Sequence, residues 1–95
     1  MGLKESQTIV EALVLARADL AHRLKVDEGE ILEGAVEETD FPDAALGAPV
    51  EGEMSAQVIT PGWRIRLNAQ NQSFEYRSTG RQLRLVNFKG ENYRL

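Results

Sequence analysis

The chain of 95 residues contains no cysteine. A disulfide scaffold, a thiolate metal centre and a cysteine nucleophile are therefore excluded, and the lack fits a reducing compartment. One histidine, His22, is present. A single imidazole without thiolates makes a poor metal shell. Aromatic residues amount to 6%, with one tryptophan, Trp63. No apolar run approaches the ~20 residues that span a bilayer. Near the N-terminus Glu11, Arg17 and Asp19 break up the apolar residues before they form a secretory core. Met1-Gly2 with Ser6 fits a myristoylation pattern, but that pattern is short and common. Positive charge is missing from a whole region: residues 27–53 carry ten acids and no lysine or arginine.

What remains is ordinary globular material, 42% hydrophobic and 27% charged, enough for one domain with one modest core. The two ends, 1–7 and 90–95, are expected to be flexible. Net charge is −4, and residues 54–95 hold seven basic residues against two acids. Such polarity marks either a partner surface or two regions that neutralise each other across a sheet. The second reading is the simpler.

Residues 8–25 read as a helix. Ile9, Leu13, Ala16, Leu20 and Leu24 recur on one face, and Val10, Val14 and Ala21 widen the stripe. Thr8 and Glu11 have capping-box spacing, and Arg23 and Lys25 suit the negative end of the dipole. Asp27 and Glu30 suggest one further helical turn. Residues 31–39 read as a strand weakened by Gly34. The stretch 41–53, which begins FPDAALGAPVEG, then forms a long structured loop, with Phe41, Leu46 and Val50 as its own small core. Beyond it the pattern has period two. Met54, Ala56 and Val58 alternate, Pro61-Gly62 reads as a turn, and Trp63, Ile65, Leu67 and Ala69 alternate with Arg64 and Arg66. Turns at Asn71-Gln72 and Ser78-Thr79-Gly80 separate two more strands, with Phe74 and Tyr76, then Leu83 and Leu85, on one face. Phe88 and a Gly90 tail end the domain. The expected fold is α+β: an N-terminal amphipathic helix on an antiparallel sheet of four to five strands, with a long structured loop at 41–53.

From about Ala16 onward the chain resembles a family of small uncharacterised bacterial domains, cyanobacterial ones among them. The likeness rests on LARADLAHRL (Leu15–Leu24), FPDAALGAP (Phe41–Pro49), Gly52, Gln57, PGWRIRL (Pro61–Leu67) and FEYR (Phe74–Arg77). It covers about three quarters of the chain. Its relatives commonly carry Trp where this chain has Phe41 and Cys where it has Ala48, often with a second Cys near the C-terminal strand and His near Arg77. For exported members the resemblance implies a disulfide and a signal segment, and this chain has neither cysteine. The resemblance implies a fold and names no activity.

No catalytic set stands out. Ser6, Ser55, Ser73 and Ser78 lie in ordinary helix-start, strand or turn contexts with no Ser–His–Asp arrangement. Asp40 and Asp43 flank Phe41-Pro42 and are weak candidates for a Ca²⁺ or acid–base site. The competing reading makes Asp43 a turn residue that accepts from a backbone amide. Arg64, Arg66, Arg77 and Arg84 fall on the outward positions of three strands and form a basic sheet face, solvated and partly paired with Glu33, Glu37 and Glu75. Nucleic acid is not the expected partner, because Trp63, Phe74 and Tyr76 alternate to the opposite face and leave no stacking platform. An acidic protein partner fits better. The best reading is a small non-enzymatic, cytoplasmic interaction module without cofactor, a monomer or weak oligomer. It would bind an unknown protein partner through the loop (Phe41, Asp43, Leu46, Gly47, Pro49), Trp63 or the arginine face. A small-ligand or Ca²⁺ domain using Asp40, Asp43 and the loop is the alternative, and a hydrolase inhibitor built on Leu46–Pro49 a weaker one.

Overall fold

Thr8 starts the helix. In the computed structural model, which describes residues 8–95, its hydroxyl accepts from the Glu11 amide while Glu11 accepts from the Thr8 amide. Two of the orphan donors of the first turn are thereby satisfied. Helix α1 (Ile9–Leu24) ends at Lys25 in the left-handed conformation. Expectations that concern residues 1–7 and Ser6 lie outside the described residues. One turn of 3-10 helix (Glu28–Glu30) follows, as the Asp27–Glu30 spacing anticipated. Then come strands β1 (Leu32–Phe41), β2 (Thr60–Ala69), β3 (Gln72–Ser78), β4 (Leu83–Phe88) and β5 (Glu91–Arg94). They pair antiparallel in chain order, so β1 and β5 are the edges. The fold is α+β, a helix packed on a five-stranded antiparallel meander.

The helix meets the sheet through small residues. Ala12, Ala16, Leu20 and Ala21 are buried against Ile65, Leu67, Tyr76, Leu83, Leu85 and Phe88, while Ile9, Leu13 and Leu24 pack at the margin. Alanine on the contact face lets the helix axis approach the sheet closely. Val10 and Val14, expected to widen the stripe, face away and are exposed, because Ala12 takes the inward position between them. Arg17 ties the helix to the start of β1 by donating to the Ile31 carbonyl. The Tyr76 hydroxyl donates to Asp19 Oδ2 at 2.7 Å, and Arg23 Nε reaches the same oxygen at 2.7 Å. The Arg23 guanidinium also lies 4.3 Å from the centre of the Tyr93 ring. Burial first, and then the bond to the Asp19 carboxylate, push the Tyr76 phenol well above its ordinary pKa.

Four local expectations are corrected. Residues 54–59 form no strand, because their alternation meets no partner strand. Pro61-Gly62 is no turn: both residues lie inside β2, opposite Asp40 and Thr39. There the glycine is required by closeness. A Cβ at Gly62 would sit 2.3 Å from the Ser78 carbonyl oxygen. The next turn is Gln70-Asn71, one residue earlier than expected, with φ of 53° and 62°. These positive values twist with the strands. Finally, Lys89-Gly90 is a second turn of the same kind rather than a tail, and it returns the chain as β5, with Phe88 opposite Glu91.

Candidate functional site

Strand register decides which side chains share a face. Arg64 lies opposite Arg77, Arg77 opposite Arg84, and Arg84 opposite Arg94. Four arginines thus form one row across β2–β5, on the face away from the helix. Like charges directly opposite are unfavourable unless something intervenes. Two carboxylates do. Glu75 Oε2 accepts from Arg64 Nε at 3.0 Å and from Arg77 Nε at 2.7 Å, and its Oε1 lies 3.7 Å from Arg66. Glu53 takes Arg84 in a two-pronged pair, both contacts 2.7 Å, with Arg94 at 3.6 Å. Hydrogen bonds from Arg84 and from the Val50 amide, with the nearby positive charges, hold the Glu53 carboxyl down to about 2 from an ordinary 4.5, against the opposing effect of burial.

Glu53 belongs to the connection between β1 and β2, residues 42–59, which folds back over this face. Its main-chain carbonyls are received by sheet side chains. Gln82 donates to Ala44 at 2.8 Å, Arg77 to Leu46 at 2.7 Å, Arg84 to Ala48 at 3.1 Å and Asn92 to Pro49 at 2.9 Å. Irregular backbone can be covered only where its polar groups find partners, and here the sheet supplies them. Phe41, Ala45, Leu46 and Ala48 are buried beneath the loop, and the Phe41 ring lies under the Arg77 and Arg64 guanidinium groups at 5.3 and 5.9 Å. Val50, expected in this small core, is only half-buried. Asp43 Oδ1 accepts from the Ala45 and Gly47 amides at 3.0 and 2.9 Å. It fixes the turn that puts Leu46 and Gly47 at positive φ.

The expectation of a solvated arginine face is therefore corrected at its centre. Arg84 is 1% exposed and Arg77 mostly buried, both spent on the loop; only Arg66 and Arg94 remain about half open. Glu75 pairs with the row as anticipated, whereas Glu33 and Glu37 take no cation among the described residues. Asp43 is engaged by the loop, Asp40 lies exposed on β1, and His22 is exposed on α1. Among the described residues no three histidine or carboxylate side chains converge as a metal site. Within the loop, Pro49 and Gly47 face solvent while Leu46 does not.

At the strand ends, where β1 and β2 meet the connection between β3 and β4, lies a cleft of about 310 Å³. It is lined by Glu38, Thr39 and Asp40 of β1, by Pro61, Gly62 and Trp63 of β2, and by Thr79-Gly80 of the next hairpin. Register sets Glu38 opposite Trp63 and Asp40 opposite Pro61, so both carboxylates share the indole's face. Among the described residues neither carboxylate has a cationic partner. Trp63 is half-buried, its inner side against the core. Val58 and Ile59, 49% and 71% exposed, run directly into this strand end. Sequence reasoning named Asp40 and Trp63 separately but missed Glu38, Thr79 and Gly80. Their convergence depends on Pro61-Gly62 lying within a strand, which the Pro-Gly pair argued against. A second concavity, between the end of α1 and the hairpin tips, is lined by Arg23, Lys25 and Lys89, with Arg23 already paired to Asp19.

No helix among the described residues is long and apolar enough to cross a membrane. No curated protein and no solved structure matches the chain. One family does match, over residues 13–86, from the inner face of α1 to the arginine row and its loop: the chain belongs to the family described as Domain of unknown function (DUF8738).

Proposed function

We propose that the chain is a non-enzymatic protein-interaction module that works through the free β1 edge and the cleft beside Trp63. One observation carries this reading: two carboxylates with no cationic partner among the described residues share a cleft with a half-buried indole beside β1, an edge of the described sheet. Unpaired main-chain groups on an edge strand are a ready template for another chain, and a tryptophan in a pocket is a common anchor of binding energy. The loop and the arginine row, earlier candidates as contact surfaces, serve in this reading as the support that holds the strand ends in place. Exposed Val58 and Ile59 extend the surface. The likeness to small bacterial domains with the Pro-Asp loop, a cytoplasmic setting and a monomeric or weakly oligomeric state belong to the same reading.

The test is affinity capture with three folded forms: wild type, Glu38→Lys/Asp40→Lys, and Arg66→Glu on the opposite face. A protein held by wild type and by the Arg66 variant but lost by the β1 variant is the expected result. Equal retention by all three would remove the β1 edge as the site. No specific capture by any would overturn the interaction reading itself.

A further inference from the structure

We infer that the β1 edge receives a basic, extended segment of a partner protein, which adds as a sixth strand and lays one lysine or arginine side chain over Trp63 between Glu38 and Asp40. This rests on the interaction reading and names its partner.

Three independent features converge on this occupant. The first is the edge itself. The register of β1 slips between Glu33 and Val36 and is then regular from Val36 to Phe41. That leaves six residues of straight edge, about the length of an ordinary strand. The second is charge. Glu37, Glu38 and Asp40 fall within this stretch, and none is neutralised among the described residues. An added strand places its side chains opposite those of β1, and opposite charges there are favourable. The third is the cleft. Trp63 is part of its lining, and aromatic rings attract desolvated cations, tryptophan's most of all. Its volume of about 310 Å³ is at the low end of the range for ligand pockets, room for one long side chain rather than a folded element.

The same features reject other occupants. A second copy paired through β1 would set Glu37, Glu38 and Asp40 against their own kind, which is unfavourable. Nucleic acid would meet those carboxylates with phosphates. An acidic peptide, which the arginine row first suggested, finds that row engaged by Glu75, Glu53 and the loop carbonyls.

The experiment uses the whole chain and a fluorescein-labelled eight-residue peptide of alternating lysine and valine. Its controls are a glutamate-for-lysine version and free lysine methyl ester. Binding is read by anisotropy, and amide exchange of residues 36–41 is followed in parallel. The expected result is binding of the basic peptide alone, with slowed exchange confined to β1. Glu38→Gln/Asp40→Asn should weaken it by about tenfold, while Glu51→Gln/Glu91→Gln, an equal charge change at exposed positions elsewhere, should barely alter it. Trp63→Phe should weaken it less than the double β1 change and abolish any peptide-induced change in tryptophan emission.

Binding without protection at 36–41, or equally sensitive to the two double variants, would reduce the effect to general charge attraction and overturn strand addition. Binding of lysine methyl ester as tight as the peptide would make the cleft a small-cation site and overturn the proposal in favour of that ligand. No peptide binding would also overturn it. If a captured partner were still lost from the Glu38→Lys/Asp40→Lys form, the interaction module would stand and only this assignment of the partner would fall.

Discussion

Removing Glu53 should damage this protein more than removing the arginine it pairs with. Arg84 is 1% exposed on the sheet face, and Glu53 supplies both oxygens that neutralise it, each at 2.7 Å. Glu53→Ala leaves a guanidinium enclosed by the loop without its anion. Breaking a buried pair from one side costs roughly 3–5 kcal/mol. A domain of 95 residues holds only about 5–14 kcal/mol in all, at roughly 0.05–0.15 per residue. The midpoint of thermal unfolding should fall by about 12 °C or more, since one kcal/mol shifts a domain of this size by about 4–8 °C. Arg84→Met removes the charge together with its need for a partner. It leaves the Ala48 carbonyl and Gln82 without their donor, worth about 1–3 kcal/mol, while Glu53 keeps the Val50 amide and Arg94. Its loss should be the smaller.

Urea unfolding followed by circular dichroism and by Trp63 fluorescence measures both losses. Acid supplies an independent check. The Glu53 carboxyl is held to about 2 in the folded chain against 4.5, so its contribution is full above about 4.5 and disappears as pH falls toward 2. Glu53→Gln should flatten that part of the stability profile. A cost for Glu53→Ala below about 1 kcal/mol, the level of an exposed pair, would refute the view that this ion pair holds the loop.

Two further outcomes are expected. Burial keeps the Tyr76 phenol protonated far beyond its ordinary range. Its contribution is therefore present below about pH 10, the ordinary phenol value, and lost as pH rises above it. Alkaline unfolding of Tyr76→Phe should be less steep than that of wild type, with a loss of about 1.5–3 kcal/mol at neutral pH for the bond to Asp19; an unchanged alkaline limb would count against it. Gly62→Ala drives a methyl group against the Ser78 carbonyl and should cost about 1–3 kcal/mol by overpacking, read as a lower unfolding midpoint, whereas a neutral result would mean that β2 and β3 can separate there.

Local patterns were legible where local chemistry decided the outcome. Thr8 and Glu11 announced the start of α1, and the alternation through Trp63, Ile65 and Leu67 correctly placed the arginines on one face and the aromatics on the other. Asp43 as a turn-former could be read from Pro42-Asp43 alone. Alternation, however, says which side chains share a face and not what lies on top of it. That the loop would cover Arg77 and Arg84 depends on Arg77, Gln82, Arg84 and Asn92 donating to loop carbonyls, and on Arg84 donating to Glu53, across 31 to 43 residues of chain, and no spacing rule encodes that. The 54–58 alternation was misread because period two marks a strand only when another strand is beside it. Pro61-Gly62 misled because Pro is tolerated where β2 extends beyond its pairing with β3, and Gly is demanded by the neighbouring Ser78 carbonyl rather than by a turn. The β1 cleft followed from the same error.

The sheet grips the loop by its backbone. Ala44, Leu46, Ala48 and Pro49 are held through carbonyl oxygens, which every residue type possesses, so Gln82, Arg77, Arg84 and Asn92 record the path of the chain and not its spelling. Outward positions such as Pro49, Glu51 and the stretch from Met54 to Ile59 can therefore be rewritten with little effect on where the loop runs, provided Glu53, Gly47 at its positive φ and the small buried residues stay. In engineering terms the domain is a display scaffold: a clamped main chain carrying an editable surface, open to libraries of sequence on one fixed shape.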